Sequence, residues 1–215
     1  MNKNNHLKIS GYAGVIGSVQ FIILPIIAMF FYGGGTAWGN TAEGYTFWQN
    51  FLSDLGRTVS YSGVENTVSS PLFNFSLGLF GITLILLYSA SFRLFSTLLG
   101  YLITIAGIIS GTGMFIIALA PDNILPDLHM QGVWMWALAL LAAVFLIIFH
   151  EYHSKERNKH FFILSVVMAA GVAYHISQGF ADVRGPLVVA TQKIVVYLNC
   201  VWYLFLSRRM INYAN

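Results

Sequence analysis

Six apolar runs recur along the chain, near positions 11–32, 71–91, 96–120, 128–149, 161–181 and 186–206. A helical run of about twenty such residues crosses the roughly 30 Å hydrocarbon core of a bilayer. In lipid, backbone N–H and C=O groups must be satisfied within the segment, so a helix is the solution open to each run. The chain is therefore expected to be all-α: a polytopic membrane protein, with residues 1–215 forming a single domain, a bundle of six transmembrane helices. Composition agrees, since 57% of the residues are hydrophobic and 9% charged, against roughly a quarter charged in a soluble domain. The first run is too long for the apolar part of a cleavable signal and lacks a small-residue cleavage site, so it reads as the first span. Cys200 is the single cysteine and sits inside an apolar run, which leaves no partner for an intrachain disulfide.

Basic residues orient the bundle. Lys3, Lys8, Arg93, Lys155, Arg157, Lys159, Arg208 and Arg209 fall on one side, while Arg57 and Arg184 fall on the other and Lys193 lies within the sixth run. Both termini are thus expected in the cytoplasm, and a plasma membrane is the natural location. The net charge of +3 needs no nucleic-acid partner, because its distribution fits this topology. Acidic residues run the other way. Glu43, Asp54, Glu65, Asp122, Asp127 and Asp182 are external, and Glu151 and Glu156 internal.

The first external connection, residues 33–70, is longer than packing requires, and loops of that size are commonly functional. It opens on Gly33-Gly34-Gly35, expected to be a flexible joint, and ends where Pro71 enters the first turn of the second run. Within it, residues 46–55 carry helix signals: Thr46 and Gln49 match a capping box, and Gly56 matches a left-handed stop. Phe47, Trp48, Phe51, Leu52 and Leu55 would form one face, with Gln49, Asn50, Ser53 and Asp54 opposite. The segment is expected to be a short amphipathic interfacial helix lying over the bundle. Gly107, Gly111 and Gly113, with Ser110, make a small-residue surface suited to close helix contact. Pro25 is expected to kink the first helix.

Polar residues inside the spans carry most of the functional information, because an ionised side chain near the bilayer centre costs about 2.5–3.5 kcal/mol and normally faces partners or water. His175, Gln178 and Asp182 stand at i, i+3 and i+7, a stripe descending from the external surface. Gln192, Asn199 and Tyr203 run along the sixth helix, with Lys193 beside them. His129 falls in the first turn of the fourth helix after Pro126 and Asp127, and Asn74 near the start of the second. The candidate ligand-binding set is Asn50, Ser53, Asp54, Arg57, Asn74, His129, His175, Gln178, Asp182 and Lys193. Two readings of Lys193 stand side by side: a chain that snorkels to the headgroups, and a partner of Asp182 or Asp54. For His175 they are a neutral imidazole bonded to a neighbouring helix, and a metal ligand or proton carrier.

The internal loop His150-Glu151-Tyr152-His153 contains H-E-x-H, one residue short of the zincin spacing, so no metal is assigned there. Nucleophile-elbow, phosphate-loop, dinucleotide and nucleic-acid signatures do not occur.

Asn50-Phe51-Leu52-Ser53-Asp54-Leu55-Gly56, followed by Pro71-Leu72-Phe73-Asn74 and a later glycine, Gly81, resembles the prokaryotic membrane family called domain of unknown function 998. That family is similar in its S-D-L-G loop and in the F-N that opens its second helix. Pro126-Asp127-Leu128-His129 also looks like the family's P-x-x-H element, although Ala120–Pro126 departs from its G-x-F-P turn. More distantly, the loop is similar to that of the eukaryotic FRAG/DRAM/SFK proteins, which are associated with lipid remodelling, lipid asymmetry and autophagy. The resemblance implies six helices and highlights Asn50, Ser53, Asp54, Gly56, Phe73, Asn74 and His129, and it implies no reaction. Three functions are expected as rivals. The first is non-enzymatic binding of a lipid headgroup or small amphiphile in an outer-leaflet cavity, with no cofactor. The second is a zinc-dependent intramembrane lipid hydrolase using His129, His175 and one or both of Asp54 and Asp182. The third is a structural role in which partner proteins carry the function.

Overall fold

A computed structural model describes residues 3–95, 98–155 and 157–215. Its helices are α1 (Lys3–Met29), α2 (Ser69–Tyr88), a one-turn α3 (Ser91–Leu94), α4 (Leu98–Leu119), α5 (Pro126–His153), α6 (Lys159–Phe180) and α7 (Pro186–Ala214). Six of them, all but α3, are long and apolar enough to cross a membrane. Glu156 and the first two residues of the third apolar run, 96–97, lie outside the described residues. Several helices outrun their apolar runs: α1 starts at Lys3, α5 continues to His153 and α7 to Ala214. The polar ends add backbone hydrogen bonds at no cost in lipid, since they lie where the chain leaves it. α1 passes through Pro25 without a break in the helix.

Neighbours in sequence are neighbours in space. Each span packs on the next, and α7 returns to α1, so the six close into a ring. α6 is the most lightly held, touching α5 and α7 far less extensively than α4 touches α2 and α5. The tight contacts trace to small residues. A Cβ added to Gly111 would stand 2.9 Å from the Gly81 carbonyl, one added to Gly113 would stand 2.7 Å from the Gly132 carbonyl, and one on Gly107 would overlap the Tyr88 ring. The small-residue face of the third span thus serves both α2 and α5. Between them the bundle fills with aromatic rings, including the stacked pair Phe21 and Phe80 at 4.5 Å and Trp202, whose indole N–H donates to Ser165 Oγ at 2.8 Å.

The end bearing both termini is closed by a buried carboxylate. Glu151 is fully buried, accepts from Arg209 and from the Asn158 N–H at 3.3 Å, and has His150 Nδ1 at 3.6 Å. This one group ties α5, α7 and the start of α6.

The opposite end carries the long first loop, which is held rather than loose. Among the described residues it contains no strand, although isolated bridges pair Thr36 with Gly39 and Val59 with Glu65. Gly34 and Gly35 have φ of 103° and 76°, and a Cβ on Gly35 would stand 2.5 Å from the Ser62 nitrogen. The three-glycine opening is therefore not a free joint. It is a crossing that no side chain fits, fixed by Ser62 Oγ donating to the Gly33 carbonyl at 2.7 Å and Asn66 Oδ1 accepting from the Gly33 N–H at 2.8 Å. The segment over residues 46–55 also departs from its local signals. Helix appears there as a five-residue 3-10 turn, Leu52–Gly56, and residues 46–50 form a separate turn. Side chains have taken the donors that the expected capped helix needs: Asn50 Oδ1 accepts from the Thr46 N–H, the group that Gln49 would cap, at 2.9 Å, and Asp54 Oδ2 from the Phe51 N–H, which a helix would direct to the Phe47 carbonyl, at 2.9 Å. Phe47 and Trp48 are exposed while Leu52 and Leu55 are buried, so they do not share one face. Gly56 does not adopt a left-handed conformation. Its use is proximity, because a Cβ there would meet Asn74 Oδ1 at 2.5 Å.

Candidate functional site

The loop is seated first on α2, where Asn74 Nδ2 and Ser70 Oγ both donate to the Gly56 carbonyl, at 3.0 and 2.8 Å, and Ser69 Oγ donates to the Leu55 carbonyl at 3.1 Å. It is then fastened to the turn between α4 and α5. Thr58 and Asn123 bond reciprocally, N–H to Oδ1 at 3.1 Å and Nδ2 to Oγ1 at 2.8 Å. Arg57 pairs with Asp122 at 2.9 Å and lies 3.9 Å over the Tyr61 ring. On α7, Gln192 Oε1 accepts from the Leu52 N–H at 2.7 Å and the Lys193 ammonium donates to the Asn50 carbonyl. The loop is thereby held across the end of the helix ring.

Under it lies a cavity of about 430 Å³, within the range of small-molecule sites. Its walls come from the loop, the α4–α5 turn, α5, α6 and α7. Ser53, Asp54, His129, His175 and Gln192 line it together with Phe51, Tyr61, Trp134 and Trp136 and with aliphatic groups of α5, α6 and α7. A narrower recess of about 60 Å³ shares Ser53, His129, His175 and Gln192 with it and continues into the bundle toward Phe21, Leu77 and Met114. Polar groups therefore ring the junction between a wide outer chamber and an apolar inner one.

His129 reaches this position because Pro126 starts α5 immediately after the turn 121–125, whose Ile124 and Leu125 N–H groups return to the Pro121 carbonyl at 2.9 and 2.8 Å. Its Nδ1 stands 2.8 Å from the Ala120 carbonyl. A carbonyl can only accept, so Nδ1 carries the proton and Nε2 is the nitrogen left to a ligand. His175 comes from α6 with Nδ1 3.4 Å from Thr191 Oγ1, and the same hydroxyl donates to Gln178 Oε1 at 2.6 Å. Gln178 thus backs His175 from behind the wall.

Asp54 is 1% exposed. Its Oδ2 accepts from Asn50 Nδ2 and from the Phe51 N–H, both at 2.9 Å, and among the described residues no Lys or Arg pairs with it. Burial raises its carboxyl to about 6, with the Asp122 charge adding to the rise and the Asn50 and Phe51 hydrogen bonds and Arg57 opposing it. Burial also raises the Tyr61 phenol to about 12, with the Asp54 charge next in effect. Tyr61 therefore stays a neutral group at the cavity wall.

Of the ten candidate residues, Ser53, Asp54, His129 and His175 line the cavity. Asn50, Asn74, Lys193 and Arg57 hold the loop, and Gln178 sits behind His175. Asp182 stands apart. α6 ends at Phe180, Asp182 takes a left-handed backbone with φ 45°, and its carboxylate meets Arg184 at 3.2 Å with both side chains 79% exposed. Lys193 is buried and neither snorkels nor pairs with Asp182; its ammonium faces a carbonyl, 5.0 Å from the centre of the Phe47 ring. Sequence reasoning left out of the set Gln192, Asp122 and the aromatic walls. Gln192 shares its helical face with Asn199, a usable signal, whereas Trp134 and Trp136 look like any interfacial tryptophan. Among the described residues no three His, Cys, Asp or Glu side chains are grouped so that they could hold a metal ion.

Comparison with protein-family models, with curated proteins and with solved structures finds no match to this chain.

Proposed function

We propose that this integral membrane protein binds a lipid headgroup or small amphiphile in the cavity beneath its first loop, without catalysing a reaction. The observation that carries the reading is the cavity itself. About 430 Å³ of space joins Ser53, Asp54, His129 and His175 at one end to the apolar walls of α5, α6 and α7. A two-part ligand matches a two-part wall, and the lightly held α6 gives it a way in from the bilayer. With the basic residues gathered at the end bearing the termini, the cavity belongs to the outer leaflet, both termini to the cytoplasm, and the protein to the plasma membrane.

The test is native mass spectrometry of the detergent-purified protein beside Asp54→Ala/His175→Ala and Gly179→Leu. A Cβ on Gly179 already stands 3.1 Å from the Trp134 ring, so a leucine there intrudes on the cavity. Wild type is expected to retain an amphiphile that both variants lose while still folded. Equal retention would sink the reading and leave these side chains as ties between loop and helices.

A second reading, a zinc-dependent lipid hydrolase, draws on His129, His175 and Asp54 lining a single cavity, and it requires them to close around the ion from positions that do not group as a metal site among the described residues. About one zinc per chain in the wild type, lost in both His129→Ala and His175→Ala, would bring it forward.

A further inference from the structure

We infer that the ligand of this cavity carries a protonated amine, an alkylammonium headgroup on an apolar tail, and that Asp54 receives its charge. The inference rests on the amphiphile-binding reading above and names the ligand's chemistry. Two carboxylates, Asp54 and Asp122, line the cavity, and among the described residues no Lys or Arg does. Asp122 is already neutralised by Arg57, which is itself stacked on Tyr61. Asp54 is therefore the cavity carboxylate without an ion-pair partner among the described residues. Its Oδ2 holds two protein donors, and its Oδ1 has none among the described residues. An anionic headgroup would meet a buried carboxylate whose nearest cations, Arg57 and Lys193, are engaged with Asp122 and with the Asn50 carbonyl; an ammonium supplies a direct partner.

The remaining polar groups agree. His129 is held with Nδ1 donating to the Ala120 carbonyl, which leaves Nε2, an acceptor in the neutral imidazole, free for a ligand. With Asp54 Oδ1 this makes two acceptors facing a ligand, which asks for N–H donors. Phe51, Tyr61, Trp134 and Trp136 contribute aromatic rings to the wall, the type of group to which cations are drawn. The same loop already houses one ammonium in this manner. Lys193 donates to the Asn50 carbonyl with the Tyr45 and Phe47 ring centres at 5.6 and 5.0 Å. The aliphatic walls and the inner recess take the tail.

Binding is linked to the charge of Asp54. Around it stand Arg57, Tyr45 and Tyr61 from the loop, Asp122 from the α4–α5 turn, His129 from α5, His175 from α6 and Lys193 from α7. An alkylamine stays protonated throughout the range from pH 5 to 7.5. Lowering the pH through about 6 protonates Asp54, so cation affinity falls.

The experiment is calorimetric titration of the full chain in maltoside micelles with dodecylamine, dodecyl phosphate and dodecanol, against protein-free micelles. At pH 7.5 dodecylamine is expected to bind saturably, one per chain, at least about tenfold more tightly than dodecyl phosphate, which corresponds to about 1.4 kcal/mol. Its affinity should weaken at pH 5. Asp54→Asn should weaken dodecylamine at least about tenfold and abolish most of that pH dependence while leaving dodecanol binding in place, which also certifies that the variant is folded. Dodecyl phosphate binding as tightly as dodecylamine, or an unchanged dodecylamine affinity in Asp54→Asn, overturns the inference. Equal saturable binding of dodecanol and dodecylamine overturns the amine assignment but keeps amphiphile binding. Saturable binding of none of the three takes down both. If the variant does not fold, the wild-type comparison of dodecylamine with dodecyl phosphate and dodecanol at pH 7.5 still decides whether the cavity selects an amine.

Discussion

Asp54 and Glu151 are both buried carboxylates at opposite ends of one bundle, and their surroundings differ in kind. Glu151 meets a guanidinium from α7, a backbone N–H from Asn158 at the cap of α6 and a nearby imidazole on its own helix α5. Asp54 meets a carboxamide and a backbone N–H on a single oxygen, forms no ion pair among the described residues, and lines a cavity of about 430 Å³. A carboxylate closed by a cation holds elements together. One held by neutral donors beside a cavity is, on the proposed reading, left to pair with a ligand.

The comparison breaks most visibly at Arg209. Arg209→Ala strands Glu151 in a dry interior, and removing one partner of a buried pair costs about 3–5 kcal/mol. The expected result is a large loss in resistance to unfolding in mixed micelles, followed by circular dichroism, with amphiphile binding unaltered in the protein that remains folded. Removing both partners, as Glu151→Leu/Arg209→Met, should recover most of the loss, because a well-packed apolar pair replaces the charges. A small effect of Arg209→Ala would mean that Glu151 is not the closed carboxylate described above.

Asp54 should behave in the opposite sense. Burial moves its carboxyl from 3.8 to about 6, so between these values the folded chain binds a proton that the unfolded chain does not. Stability due to this group therefore falls as the pH rises from about 4 to about 6 and is flat above, a total of about 3 kcal/mol. Asp54→Asn keeps an oxygen to accept from Asn50 and Phe51 but carries no charge. The variant is expected to match wild type at pH 4 and to exceed it by up to about 3 kcal/mol at pH 7.5, measured as the difference in unfolding free energy across that range. A variant less stable than wild type at pH 7.5 would show Asp54 to be a tie like Glu151.

How far this contrast was legible in the sequence follows from the reach of each signal. The spans were legible because lipid leaves the backbone one option, and Gly107, Gly111 and Gly113 because only small residues let helix backbones meet. Ser53, Asp54, His129 and His175 converge as an expensive polar set in a membrane should. The loop was not legible. Thr46 and Gln49 are a valid local helix signal, but Asn50 and Asp54 compete for the same backbone N–H groups, and Gln192 takes the Leu52 N–H from 140 residues away. Asp182 was misjudged because the i, i+7 stripe assumes a helix that stops at Phe180. Lys193 was read against carboxylates because charge pairing is the signal a sequence offers, whereas its acceptor is a main-chain oxygen that no side-chain pattern encodes.

Lys193 gives the smallest and most discriminating effect. If it were the counter-ion of Asp54, then Lys193→Met would leave a buried carboxylate unpaired and cost as much as Arg209→Ala. In the arrangement described here it removes one charge-assisted hydrogen bond to the Asn50 carbonyl and two weak ring contacts, while the methionine preserves most of the packing between α7 and the loop. The expected cost is about 1.5–3 kcal/mol at most, and it should be local. Hydrogen exchange is the suitable measurement, because amides over residues 46–56 should exchange faster while those of α2, α4 and α5 do not change. The pH dependence that Asp54 gives to stability should persist in the variant, since the carboxylate keeps both of its own donors. A loss of stability spread over the whole bundle would place Lys193 and Asp54 in one ion pair, and the two ends of the protein would then be closed by the same means.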